Sequence, residues 1–189
     1  MNALKLSGAQ PLHQRMEHNS HMKKKRDRNR GFTLIELIVV ITIIAILAAV
    51  ALPRLIDAQK DARSAKANAM FGSMRSATAL AKARCELDMA GNIAGTFVCN
   101  ATGGYANMDG VAVTMVNKYP TADANGILAA AAINVAADGL VISGAGGSGA
   151  GITFTLDVVG APTPINCRIS YTSAVSGAAP IVSVVTTGC

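Results

Sequence analysis

The alternation of polar and apolar positions divides the chain into four stretches with different periods. Residues 1–31 are polar and crowded with lysine and arginine. Phe32 to Leu52, FTLIELIVVITIIAILAAVAL, is an apolar run of 21 residues in which Glu36 is the one strongly polar member. As a helix such a run spans roughly 30 Å, the thickness of a bilayer core. From Arg54 to Arg84 the small and apolar residues Ala67, Met70, Phe71, Met74, Ala77, Thr78 and Ala81 recur at three- and four-residue steps. That spacing predicts an amphipathic helix continuing the apolar run, about fifty residues in all. After Cys85 the helical period gives way to Gly, Thr, Ser and Val, which predicts loops followed by strands. Strands are expected at Leu140–Ser143, Ile152–Val159, Cys167–Thr172 and Ile181–Thr186, and a short alanine-rich helix over Gly126–Ala137. The economical fold is α+β, a long N-terminal helix packed on a C-terminal antiparallel sheet. Four segments follow: 1–31, 32–53, 54–84, and a head over 85–189.

Charge sharpens this division. The 189 residues carry a formal net charge of +6, with 51% hydrophobic and 15% charged residues. Residues 1–31 hold eight bases (Lys5, Arg15, Lys23, Lys24, Lys25, Arg26, Arg28, Arg30) against Glu17 and Asp27, which is the whole of that +6. The remainder is neutral, so the basic balance describes a leader and not a nucleic-acid surface. By the positive-inside rule the cluster Lys23–Arg30 keeps the N-terminus cytoplasmic and sends the residues after 53 across the membrane. Within the remainder, Arg54–Arg84 carries seven bases against Asp57 and Asp61, whereas residues 85–189 carry Lys118 and Arg168 against six acids. Electrostatic pairing of the helix of one subunit with the head of another is therefore an expectation.

Histidine and cysteine narrow the chemistry. His13, His18 and His21 all precede Gly31, and the four cysteines, Cys85, Cys99, Cys167 and Cys189, all follow it. A body without histidine lacks the commonest general base and the Cys/His and Ser/His/Asp nucleophile arrangements, so no enzyme is expected. No CxxC pair is present for a zinc or iron–sulfur site; no metal or cofactor is expected, and disulfides in an oxidising compartment are. Four cysteines allow three pairings, of which sequence proximity favours Cys85 with Cys99 and Cys167 with Cys189. The run Gly144–Gly149 matches GxGxxG, but Ile152-Thr-Phe-Thr-Leu-Asp-Val-Val after it reads as a strand, not the helix a dinucleotide site requires. A hairpin connection is expected instead.

Glu36 is the residue a plain anchor leaves unexplained. A secretory signal peptide cut near Ala49-Val50-Ala51 would have a shorter apolar region and no carboxylate inside it. A charge in hydrocarbon costs roughly 2.5–3.5 kcal/mol at a helix centre, so Glu36 requires a partner. Cleavage between Gly31 and Phe32 would create an α-amino group four residues away, and a neighbouring copy could set that amine against this carboxylate.

Arg30-Gly31-Phe32-Thr33-Leu34-Ile35-Glu36-Leu37, the Ile/Val/Ala run after it and Leu52-Pro53 resemble the type IV prepilin signature. The resemblance implies a cleaved leader ending at Gly31, an N-methylated Phe32 made by a prepilin peptidase, Glu36 as the residue that guides assembly, and Pro53 as the helix-kink proline. It also implies a disulfide-bounded C-terminal segment, matched by Cys167 and Cys189. Within the family, Pro53–Arg63, Tyr119–Ile127 and Cys167–Cys189 resemble the major pilins of mannose-sensitive haemagglutinin (MSHA) type pili. The implied function is the major subunit of a filament for adhesion and biofilm formation, with identical subunits, the inner-membrane assembly machinery and a host or abiotic surface as partners. The precursor is expected in the inner membrane and the product outside the cell. A leader of 31 residues is long for this family, and Met22 offers an alternative start. Rival readings are a type II secretion pseudopilin and a DNA-uptake or minor pilin. The first is opposed by the paired cysteines and the lack of a calcium-type acidic cluster, the second by a head with two bases.

Overall fold

The computed structural model of the protein describes residues 31–91 and 98–189. The basic leader therefore lies, apart from Gly31, outside the described residues.

One helix, α1 (Leu34–Gly91), carries the apolar run and the amphipathic segment without a break, passing through Pro53. Ala67, Met74, Ala77, Thr78, Ala81, Cys85 and Asp88 are buried on it, with Met70 and Phe71 half-buried beside them. The expected stripe is thus present, but it runs past Arg84 to Asp88. The boundary drawn at Arg84 is corrected to Gly91, because Cys85 and Asp88 continue the same face.

That shift changes the charge picture as well. Glu86 and Asp88 belong to the helix, where they pair with Lys82 at 3.7 Å and Arg84 at 3.1 Å. Arg54–Gly91 then nets seven bases against four acids, +3, and residues 92–189 two bases against four acids, −2.

The head forms two antiparallel sheets where one was expected. The first is a three-stranded meander, β1 (Gly103–Met108), β2 (Val111–Val116) and β3 (Tyr119–Pro120). The second is a four-stranded sheet, β4 (Leu140–Ala145), β5 (Thr153–Val158), β6 (Arg168–Thr172) and β7 (Ile181–Val185), in that spatial order. The last four match the expected strands to within two residues at each end. The meander falls in a stretch read only as loop, although its two turns are legible in retrospect. Met108 pairs with Val111 around Asp109-Gly110, and Val116 pairs with Tyr119 around Asn117-Lys118. All four turn residues have positive φ, as two-residue type I′ hairpins require.

The short alanine-rich helix expected over Gly126–Ala137 forms only in part: a π-type turn, Ala124–Leu128, capped by Asp123, whose Oδ1 accepts from the Gly126 amide at 2.7 Å, runs on helically to Ala130 and stops there. Ile127 and Leu128 turn into the core, and Ala132 at φ 52° stops any continuation. Packing of two apolar side chains has overridden the helix propensity of the alanines.

Two clusters knit helix and sheets together. Ala67 and Met74 pack with Phe154, Leu156, Ile169 and Tyr171 of the second sheet, and Ala81 and Cys85 with Ala106, Val113 and Met115 of the first. The glycine run explains itself in this frame. Gly144 lies opposite Thr155 at a bulge in β4, and Gly146, at φ 60°, lies against the Ala122 carbonyl where any Cβ would collide. The glycines permit strand contacts, as a hairpin connection between β4 and β5.

A buried side-chain hydrogen bond joins the sheets. Tyr171 of β6 donates its hydroxyl to the Pro120 main-chain oxygen of β3 at 2.7 Å. Burial pushes the phenol well above the ordinary tyrosine range, so it remains a donor at any physiological pH. Tyr171→Phe should cost about 1–3 kcal/mol by leaving that carbonyl unpaired. Urea denaturation checks this; an unchanged midpoint would show that the bond contributes nothing.

Candidate assembly site

The N-terminal geometry begins with Gly31 and Phe32, both exposed ahead of the helix; the Phe32 side chain is 90% accessible. Thr33 caps the helix. Its hydroxyl accepts from the Glu36 amide at 3.2 Å, while its own amide and hydroxyl both donate to Glu36 Oε2 at 3.0 Å. This reciprocal pairing is a capping box, with the carboxylate at the positive end of the helix. Glu36 therefore has a partner within its own chain, which the reading of an isolated charge missed. The signal was present as Thr-x-x-Glu ahead of an apolar run.

From Leu34 to Leu52 every side chain is exposed. Among the described residues, α1 is the one helix long and apolar enough to cross a membrane. Helical segments with such surfaces associate through close packing of small residues, and Ala48, Ala51 and Ala58 border a shallow apolar hollow beside Pro53.

At the other end of the chain, the cysteines join Cys85 to Cys99 and Cys167 to Cys189. The first bridge ties the last turns of α1 to the residues entering the first sheet. The second closes the segment containing β6 and β7, and Arg63 of α1 donates from Nη1 to the Cys189 main-chain oxygen at 3.0 Å. All four cysteines are buried.

Comparison with known proteins places the N-terminal geometry. Residues 26–52 match the family described as the prokaryotic N-terminal methylation motif. The chain is 50% identical over 54 residues to the type IV narrow pilus major component PilA5 of Thermus thermophilus, covering 29% of this chain and 47% of that protein. The similarity is confined to the N-terminal part of this chain and of that pilin. It is likewise 55% identical over 40 residues to the type IV major pilin protein PilA of Myxococcus xanthus, covering 21% of this chain and 18% of that protein. The chain thus spans less than half the length of either relative. No solved structure matches. The pilin-type helix lying on antiparallel sheets is in keeping with these relatives, and type IV pilins are structural subunits rather than enzymes.

Proposed function

We propose that the protein is the major subunit of an MSHA-like type IV pilus, assembled through its N-terminal helix into a surface filament for adhesion and biofilm formation. The observation that carries this reading is the capped glutamate at the head of a helix whose apolar run, Leu34 to Leu52, is exposed throughout, directly after Gly31-Phe32. In this reading residues 1–31 are a cytoplasmic leader that a prepilin peptidase removes, and Phe32 becomes the N-methylated terminus. Residues 32–53 hold the precursor in the inner membrane with its head in the periplasm, where the disulfides form, and then become the filament core. Both Thr33 donors use Glu36 Oε2, which leaves Oε1 for the Phe32 amine of a neighbouring subunit. The inner-membrane assembly machinery would extract the subunit, and a host or abiotic surface would be the filament's target.

The test is the intact mass and N-terminal peptide of protein sheared from cells. The expected product begins at N-methylated Phe32, has four oxidised cysteines, and sediments as polymer. An uncut leader or a terminus near Leu52 would overturn the reading, and a processed product confined to the periplasm would favour a secretion pseudopilin.

A further inference from the structure

The two hairpin turns of the first sheet have the same geometry and different chemistry. At Asp109-Gly110 the second position, φ 84°, is occupied by glycine, the residue that adopts it without strain. At Asn117-Lys118 the equivalent position, φ 70°, is occupied by lysine. A side chain held at a site where glycine is preferred points to a use for that side chain.

The surroundings of Lys118 supply one. A groove of about 400 Å³ is lined by Lys118, Asn117 and Tyr119 from the turn and β3, by Lys82 and Glu86 from α1, and by the loop beginning at Ser176. That volume lies within the range of small-ligand sites. Lys82 stacks on the Tyr119 ring with its ammonium 5.4 Å from the centroid, and the Tyr119 hydroxyl beside it holds Lys82 above the ordinary lysine range. Asn117 donates from Nδ2 to the Ala174 main-chain oxygen at 2.9 Å, anchoring the loop wall and leaving its amide oxygen as an acceptor. Among the described residues no carboxylate pairs with Lys118, whereas Arg168, the other base of the head, is held by Asp157 at 3.0 Å.

We propose that this groove binds an acidic saccharide, one carboxylate-bearing sugar residue at a time, with Lys118 meeting the carboxylate. Asn117 and Ser176 then offer neutral donors and acceptors to the sugar hydroxyls, and Glu86, whose charge is offset by Lys82 at 3.7 Å, accepts from a hydroxyl. A polyphosphate fits less well. Nucleic acid needs a run of bases, and beyond the groove the head is net negative. The inference gives the proposed adhesion a ligand class, and it concerns the unassembled subunit, so it stands or falls separately from filament formation.

The experiment is titration calorimetry of the full chain in detergent with an oligogalacturonate, against a neutral oligosaccharide and single-stranded DNA of equal length. Binding of the oligogalacturonate alone is expected. Lys118→Gly should weaken it about tenfold or more while leaving the melting temperature unchanged or higher, because glycine suits the turn. Lys118→Arg should retain most of the affinity. The proposal is overturned if the wild-type chain binds no oligogalacturonate, if DNA or the neutral sugar binds as well, if Lys118→Gly binds unchanged, or if that variant melts lower, which would make the lysine structural.

Discussion

Glu36→Val should yield a precursor that is still processed at Gly31 but a sheared-filament yield lower by about two orders of magnitude or more. The charge of Glu36 serves two partners in the proposed assembly, the Thr33 cap and the Phe32 amine of the next subunit. Removing one member of a desolvated charge pair costs about 3–5 kcal/mol, because the other is left uncompensated in apolar surroundings. At 1.4 kcal/mol per decade that is a factor of a hundred to a few thousand in association. The loss of the cap itself accounts for only about 1 kcal/mol, and Thr33→Val isolates it. This second variant removes the hydroxyl that accepts from the Glu36 amide and donates to Oε2, while the Thr33 amide bond and the carboxylate remain. Its filament yield should fall by less than about tenfold. Equal losses in the two variants would mean that Glu36 acts only on its own helix, and the intersubunit role would be abandoned.

Replacing both Cys167 and Cys189 by serine should lower head stability by about 3 kcal/mol, with a fall in Tm of about 10 °C. The bridge closes a separation of 22 residues, and the chain-entropy estimate for a loop of that size is about 3 kcal/mol. The effect is large against a typical domain stability of about 5–15 kcal/mol. It is also local in its consequence. Cys189 is where Arg63 takes its long-range hydrogen bond, and the adjacent Gly188 exchanges bonds with Asn166 and Thr163 at 2.9 and 3.3 Å. Without the bridge these contacts should fray first, exposing the edge strand β7, and amide exchange at β7 should accelerate before that at β5. Serine variants at Cys85 and Cys99 should cost about the same, since a separation of 14 changes the logarithm little. Urea unfolding of oxidised protein against each double variant is the measurement. A loss below about 1 kcal/mol would show that the cores of the two sheets hold the head without cross-links.

The features readable from residue order alone are those set by local repetition. The 21-residue apolar run, the three- and four-residue stripe from Ala67 to Ala81 and the alternation in β5 and β6 each express a period that one backbone geometry satisfies. Thr33 and Glu36 were equally legible as a three-residue spacing, since a capping box is local. In the meander, β1 (Gly-Gly-Tyr-Ala-Asn-Met) was not, because its propensity for a strand is weak, whereas β2 (Val-Ala-Val-Thr-Met-Val) carries a strand signature that the loop reading passed over. What stabilises the meander is Val113 and Met115 meeting Ala81 and Cys85 on the helix, contacts that no window of sequence contains. The same is true of the alanine segment after Ala124, where burial of Ile127 and Leu128 outweighs a helical preference spread over several small residues.

The division between the two kinds of information follows from range. Hydropathy, charge order and capping act over a few residues, so the membrane-length helix, its neutral body and its basic leader are properties of the chain as written. Side chains distant in sequence meet only when helix and sheets have packed. That is why the groove uniting Lys82 and Glu86 of α1 with Lys118 and Tyr119 of the meander, and the bond from Tyr171 to Pro120 that joins the sheets, exist only in the folded molecule.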